Sequence, residues 1–220
     1  MKSFASIAST AIAIGVVGMF GLASAKADVL FNQSTGPIGS AGPWASQVSI
    51  GAVYDNFSLT NAADITSIDF AGSYFNPAGS AAYPSDTLTI NIYTDNAGVA
   101  GTQLYTTTLA NVPRTYLGID GIGDNAYSYS IATNFVAAAG TQYWLSIVSD
   151  NGWPPQWGWE TGIGGDGLAY QIFYSTTYAR TDQAFTLNGT PTVASTPEPA
   201  SLVLLGTSLL SFGLIRRRRS

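Results

Sequence analysis

The sequence predicts an all-β chain, an antiparallel two-sheet sandwich of jelly-roll type. Three observations carry this. Apolar and polar residues alternate with a period of two over several segments rich in Thr, Tyr, Ile and Val. Turn-forming Asp, Asn and Gly separate those segments. No segment of helical length is amphipathic, and residues 133–140 are the only helix-tolerant stretch.

Taken in chain order, the predicted strands cover residues 53–59, 65–71, 87–93, 103–109, 127–131, 143–148, 168–175 and 184–187. The third is the clearest, with Leu88, Ile90 and Ile92 on one face and Thr89, Asn91 and Tyr93 on the other. Tyr127, Tyr129 and Ile131 alternate in the same way, as do Tyr143, Leu145 and Ile147. Asp95-Asn96-Ala97-Gly98 predicts a hairpin connection of several residues. Asp150-Asn151-Gly152, residues 162–167 and Asn188-Gly189-Thr190-Pro191 are further turns. Eight to ten strands with such connections suit a sandwich. A body of about 160 residues buries enough core to dispense with disulfides.

Composition removes whole classes of chemistry. The 220 residues include no His and no Cys. Triads built on His, zinc fingers and disulfide frameworks are therefore excluded. Neither common nucleotide-binding glycine motif occurs. Charged residues make up 10% of the chain, against ~25% for soluble domains in general. Between Asp28 and Thr196 only Arg114 and Arg180 are basic against twelve acidic residues, a net of −10, whereas the whole chain carries −5. Such a body predicts no nucleic-acid partner, since phosphate binding needs clustered Lys and Arg.

The ends read as targeting segments. Residues 1–27 have a basic start at Lys2, an uncharged apolar run and the small-residue pattern Ala25-Lys26-Ala27, with Ala23-Ser24-Ala25 as a second cleavage pattern. A secretory signal cut by signal peptidase before Asp28 follows, with an uncleaved anchor as the alternative. The sandwich is assigned to residues 28–190 and a Pro/Thr/Ser linker to 191–196. Residues 197–220 hold Pro197-Glu198-Pro199, sixteen uncharged residues (200–215) and Arg216, Arg217, Arg218 and Arg219. As a helix the uncharged run spans about 24 Å, short of a ~30 Å hydrocarbon core, and suits a short transmembrane helix. The arginines keep to the cytoplasmic side, which leaves the acidic body outside and the terminal segments as the only contact with the membrane.

The order Pro197-Glu198-Pro199, apolar helix and terminal arginines resembles the PEP-CTERM sorting signal. That resemblance implies recognition at Pro197, Glu198 and Pro199 by exosortase, removal of the tail, and export to the cell surface or extracellular matrix. Short phrases in the body, such as Val53-Tyr54-Asp55-Asn56-Phe57-Ser58-Leu59 and Tyr143-Trp144-Leu145-Ser146-Ile147, resemble those of uncharacterised PEP-CTERM-tailed ectodomains. Their β-sandwich fold is implied with them; an activity is not.

Three groups could carry chemistry in the body. Trp153, Trp157 and Trp159, with Trp144 nearby in sequence, either fill the core or stack on sugar rings of an exopolysaccharide, and Trp157 and Trp159 share a face if their segment is extended. Asp120 and Asp124, or Asp166, lie in Gly-rich loops that either form turns or offer oxygen ligands to calcium; no other cofactor is predicted. Glu160, flanked in sequence by Asp150 and Asp166, is the one glutamate available to a glycan-cleaving carboxylate pair. The resulting expectation is a non-enzymatic exported matrix or surface protein. A carbohydrate-binding module is the second reading and a glycan-active enzyme the third.

Overall fold

The structure, a computed structural model, describes residues 27–34 and 42–192. The signal segment up to Lys26, Pro197, Glu198, Pro199 and the four terminal arginines lie outside the described residues. Within them the chain forms strands only: β1 (Asp28–Gln33), β2 (Pro43–Ala45), β3 (Gly51–Ser58), β4 (Ala63–Phe75), β5 (Asp86–Asp95), β6 (Ala100–Val112) and β7 (Arg114–Ile119). Then come β8 (Asn125–Ala137), β9 (Gln142–Ser149), β10 (Gln156–Glu160), β11 (Tyr170–Phe173), β12 (Thr176–Ala179) and β13 (Phe185–Pro191).

These thirteen strands make two antiparallel sheets. One runs β12-β11-β3-β9-β5-β6. The other is organised by β4, which pairs with β8 along one edge and with β13 and β10 along the other; β1, β2 and β7 extend it. Four of the pairings nest: β1 with β13, β3 with β9, β4 with β8, and β5 with β6. Successive pairs alternate between the sheets, which is the winding of a jelly roll.

The alternation read from the sequence is what places the core. Leu88, Ile90 and Ile92 of β5 turn inward beside Leu145 and Ile147 of β9, opposite Ile65, Ile68 and Phe70 of β4 and Leu187 of β13. All are buried. The β5–β6 hairpin forms where Asp95 and Gly98 predict it: Gly98 N donates to Asp95 Oδ1 at 3.1 Å, and Ala97 and Gly98 take φ of 54° and 87°. Positive φ at both positions matches the turn to the twist of the strands.

Three expectations need correction. Among the described residues there are thirteen strands instead of eight to ten, because β1, β2, β7, β10 and β12 were not predicted. The helix-tolerant stretch begins as the end of β8: its Phe135 and Ala137 are buried against β4, so tertiary pairing overrides an Ala-rich composition. The predicted strand 168–175 shortens to β11, since Tyr174 and Ser175 take positive φ and turn the chain into β12.

Candidate functional site

The tryptophans are placed first by β10. Its residues Gln156, Trp157, Gly158 and Trp159 pair with Phe75, Tyr74, Ser73 and Gly72 of β4, and its far edge takes β2. Trp157 and Trp159 do share a face, but it is the inner one, and both are 0% exposed. A sugar-stacking role for Trp157 and Trp159 is thereby corrected: their rings pack against Phe70, Tyr129 and Phe185. Trp159 Nε1 donates to the Ala184 carbonyl at 2.9 Å. Trp144 is buried too, under Tyr170, with Nε1 donating to Asp95 Oδ1 at 2.8 Å. Trp153 alone of the four is open, at 59% exposure.

Glu160 closes β10 and is buried. Ser73 Oγ donates to its Oε1. Burial, with the nearby carboxylates Asp120 and Asp124 adding repulsion, pushes Glu160 up to about 8. Asp120 Oδ1 accepts the backbone N–H groups of Ile122 and Asp124 at 3.0 and 2.9 Å, which ties its loop into a turn. Asp120 Oδ2 is buried and receives no N–H or hydroxyl donor. Asp120 lies close enough to Glu160 to add to the upward shift of its carboxyl. Asp124 Oδ1 accepts Gly79 N at 2.7 Å.

One oxygen of each, Asp120 Oδ1 and Asp124 Oδ1, is thus engaged by backbone amides, as in turn formers. Among the described residues no group of three or more carboxylates converges on a point that could hold a metal ion. Glu160 is not assembled with its sequence neighbours either. Asp150 is exposed and accepts from Thr89 Oγ1 at 3.2 Å, and Asp166 belongs to a different cluster.

That second cluster was not visible in the sequence. The loop 162–167 folds back over β1 and β3 because its glycines let it approach. A Cβ on Gly165 would lie 2.1 Å from the Gln33 amide and 2.4 Å from Asp182 Cγ, and Gly164 and Gly167 take φ of 93° and 78°. Beneath the loop, buried Asp55 accepts Gln183 N at 2.6 Å and Asn56 N at 2.7 Å. With its amide turned so that the nitrogen faces these acceptors, Gln33 donates to Asp55 Oδ2 at 2.9 Å and to the Gln183 carbonyl at 3.0 Å. Burial, together with Asp182 and Asp166, lifts Asp55 to about 7. Asn56 Nδ2 donates to Asp166 Oδ2 at 3.1 Å, which pins the loop to β3.

Between this loop and the strand ends lies a cavity of about 340 Å³, bordered by Phe31, Asn56, Phe57, Ser58, Gln142 and Asp166. Gln142 Nε2 reaches Asp95 Oδ1 at 3.4 Å, a long contact. The Ser58 side chain is exposed at the rim. Neither body arginine borders the cavity. Arg114 pairs with Asp86 at 2.6 Å, and Arg180 lies 3.9 Å over the Trp44 ring while donating to Gln171. Of these residues only Asp166 and its Gly-rich loop could be noticed in the sequence. Asn56, Ser58 and Gln142 are ordinary strand residues until the fold brings their ends together.

No curated protein and no solved structure matches the chain. Residues 195–219 match the PEP-CTERM protein-sorting motif, two residues longer at its start than the tripartite tail suggests. The chain therefore carries a PEP-CTERM sorting motif behind a β-sandwich body, and that motif implies an exported, membrane-anchored precursor processed by exosortase.

Proposed function

We propose that the mature protein is a cell-surface or extracellular-matrix component, and that its sandwich is a non-enzymatic structural or interaction module for the exopolysaccharide of a biofilm. The supporting observation is the joining of a sorting tail to a body in which the carboxylates considered for catalysis or calcium are bonded to its own scaffold. Glu160 is held by Ser73, Asp120 by the amides of its turn, Asp124 by Gly79 and Asp150 by Thr89. A hydrolase needs two carboxyl groups facing a common open space, one neutral and one ionised. Here the neutral acid, Glu160, is sealed inside the sandwich.

On this reading signal peptidase removes residues 1–27 and exosortase cuts at Pro197-Glu198-Pro199, with Arg216–219 holding the precursor's end in the cytoplasm until then. Glu198→Ala in the full chain, expressed in a host with an exosortase, should leave a larger precursor in the membrane fraction. Unchanged release of a form of unchanged mass would overturn the sorting step. Glycan cleavage by the released protein, abolished by Glu160→Gln, would overturn the non-enzymatic reading.

A further inference from the structure

We propose that the cavity between the 162–167 loop and the ends of β1, β3 and β9 binds one ring of a neutral saccharide. The inference rests on the reading of the body as a surface interaction module, and it moves recognition away from the tryptophans to a set of residues of which the sequence singled out only Asp166.

The chemistry of the lining selects the ligand. Gln142 presents an amide and Ser58 a hydroxyl, each able to donate and accept, while the buried Asn56 amide borders the cavity and already donates to Asp166. Asp166 accepts only, and its Oδ1 and Oδ2 already have Leu168 N at 3.1 Å and Asn56 Nδ2 on one side each. Such a mixture answers vicinal hydroxyl groups, which donate and accept at once. Phe31, half-buried and stacked on Phe185 with centroids 5.2 Å apart, supplies an apolar wall of fixed orientation for the C–H face of a sugar ring. Phe57 closes the floor.

Charge decides which sugars enter. Asp166 borders the cavity, and both arginines among the described residues are engaged elsewhere. An anionic sugar would meet the Asp166 carboxylate with no lining cation to offset it, so uronates are rejected and neutral rings accepted. Size agrees. At about 340 Å³ the cavity stands at the lower end of ligand sites, ~300–1,000 Å³, which fits one ring of a longer chain.

The test uses the form released from cells making the full chain, probed on printed neutral gluco-, manno- and galacto-oligosaccharides, with oligouronates as the anionic set. Binding to at least one neutral series and none to the oligouronates is expected. Ser58→Trp, which fills the cavity from its rim, and Gln142→Ala should each weaken that binding at least tenfold, with thermal stability recorded beside it. Trp153→Ala should leave it unchanged. Absence of neutral-glycan binding, a preference for oligouronates, or undiminished binding in a folded Ser58→Trp or Gln142→Ala would overturn the assignment. Those results would leave export and surface location intact, since these are read independently from the fate of Glu198→Ala.

Discussion

Trp157 Nε1 donates to the Tyr129 hydroxyl at 3.3 Å across the inner face of the sheet, and the two rings meet edge to face with centroids 6.2 Å apart. The contact joins β10 to β8 over the top of β4, whose Phe70 stacks on Tyr129 and meets Trp157 edge-on. Burial, with the Asp86 carboxylate adding to it, raises the Tyr129 phenol well above its ordinary value, so it stays a neutral acceptor here.

Gly72 is the residue that makes room for this ring. A Cβ there would lie 2.3 Å from Trp157 Cζ2, and the ring is fully buried. Gly72→Ala should cost about 1–3 kcal/mol through overpacking. Trp157→Ala should cost about 3–5 kcal/mol through the cavity it leaves. Urea unfolding followed by tryptophan fluorescence measures both, and a neutral Gly72→Ala would place Trp157 elsewhere.

Arg114 holds the fully buried Asp86 carboxylate, which also accepts from Asn151 Nδ2 at 3.1 Å and from the Tyr74 hydroxyl. Removing the guanidinium strands a buried charge, so Arg114→Met should destabilise by about 3–5 kcal/mol. Adding Asp86→Asn to Arg114→Met should restore part of that loss. Additive destabilisation by the two changes would contradict the pairing.

Glu160 gives stability a pH dependence whose sign is fixed. Its folded value, about 8, stands above its ordinary 4.5, so the folded state holds a proton that the unfolded chain releases. The contribution is fully present below the ordinary value and is lost as pH rises through about 8, at up to ~1.4 kcal/mol per pH unit within that window. Asp55, at about 7 against 3.8, acts in the same direction. Tm should therefore fall between pH 5 and pH 9, and Glu160→Gln, a permanent mimic of the neutral acid, should fall less steeply. Parallel Tm profiles for the two proteins would show that Glu160 is ionised in the fold.

How much of this could be read in advance depended on the strand. Leu88, Ile90 and Ile92 show the period of two because β5 has one face in the core and one outside. β10 hides it, because all five of its residues are buried between β4, β2 and the opposite sheet. That Trp157 and Trp159 share a face follows from backbone geometry alone. Which face it is depends on pairing with β4, some 85 residues earlier, and no local pattern records that. The cavity is further from view: Phe31, Asn56, Gln142 and Asp166 come from four separate segments, and only the fold makes them neighbours. The PEP-CTERM motif was legible, since its signal is a linear order of residues and needs no fold.

Intact mass of the form released from cells making the full chain tests the export and sorting reading most directly. Of a 23.0 kDa precursor, the released form should lack residues 1–27 and everything beyond the Pro197-Glu198-Pro199 segment. A released protein that still carries Arg216, Arg217, Arg218 and Arg219 would contradict it.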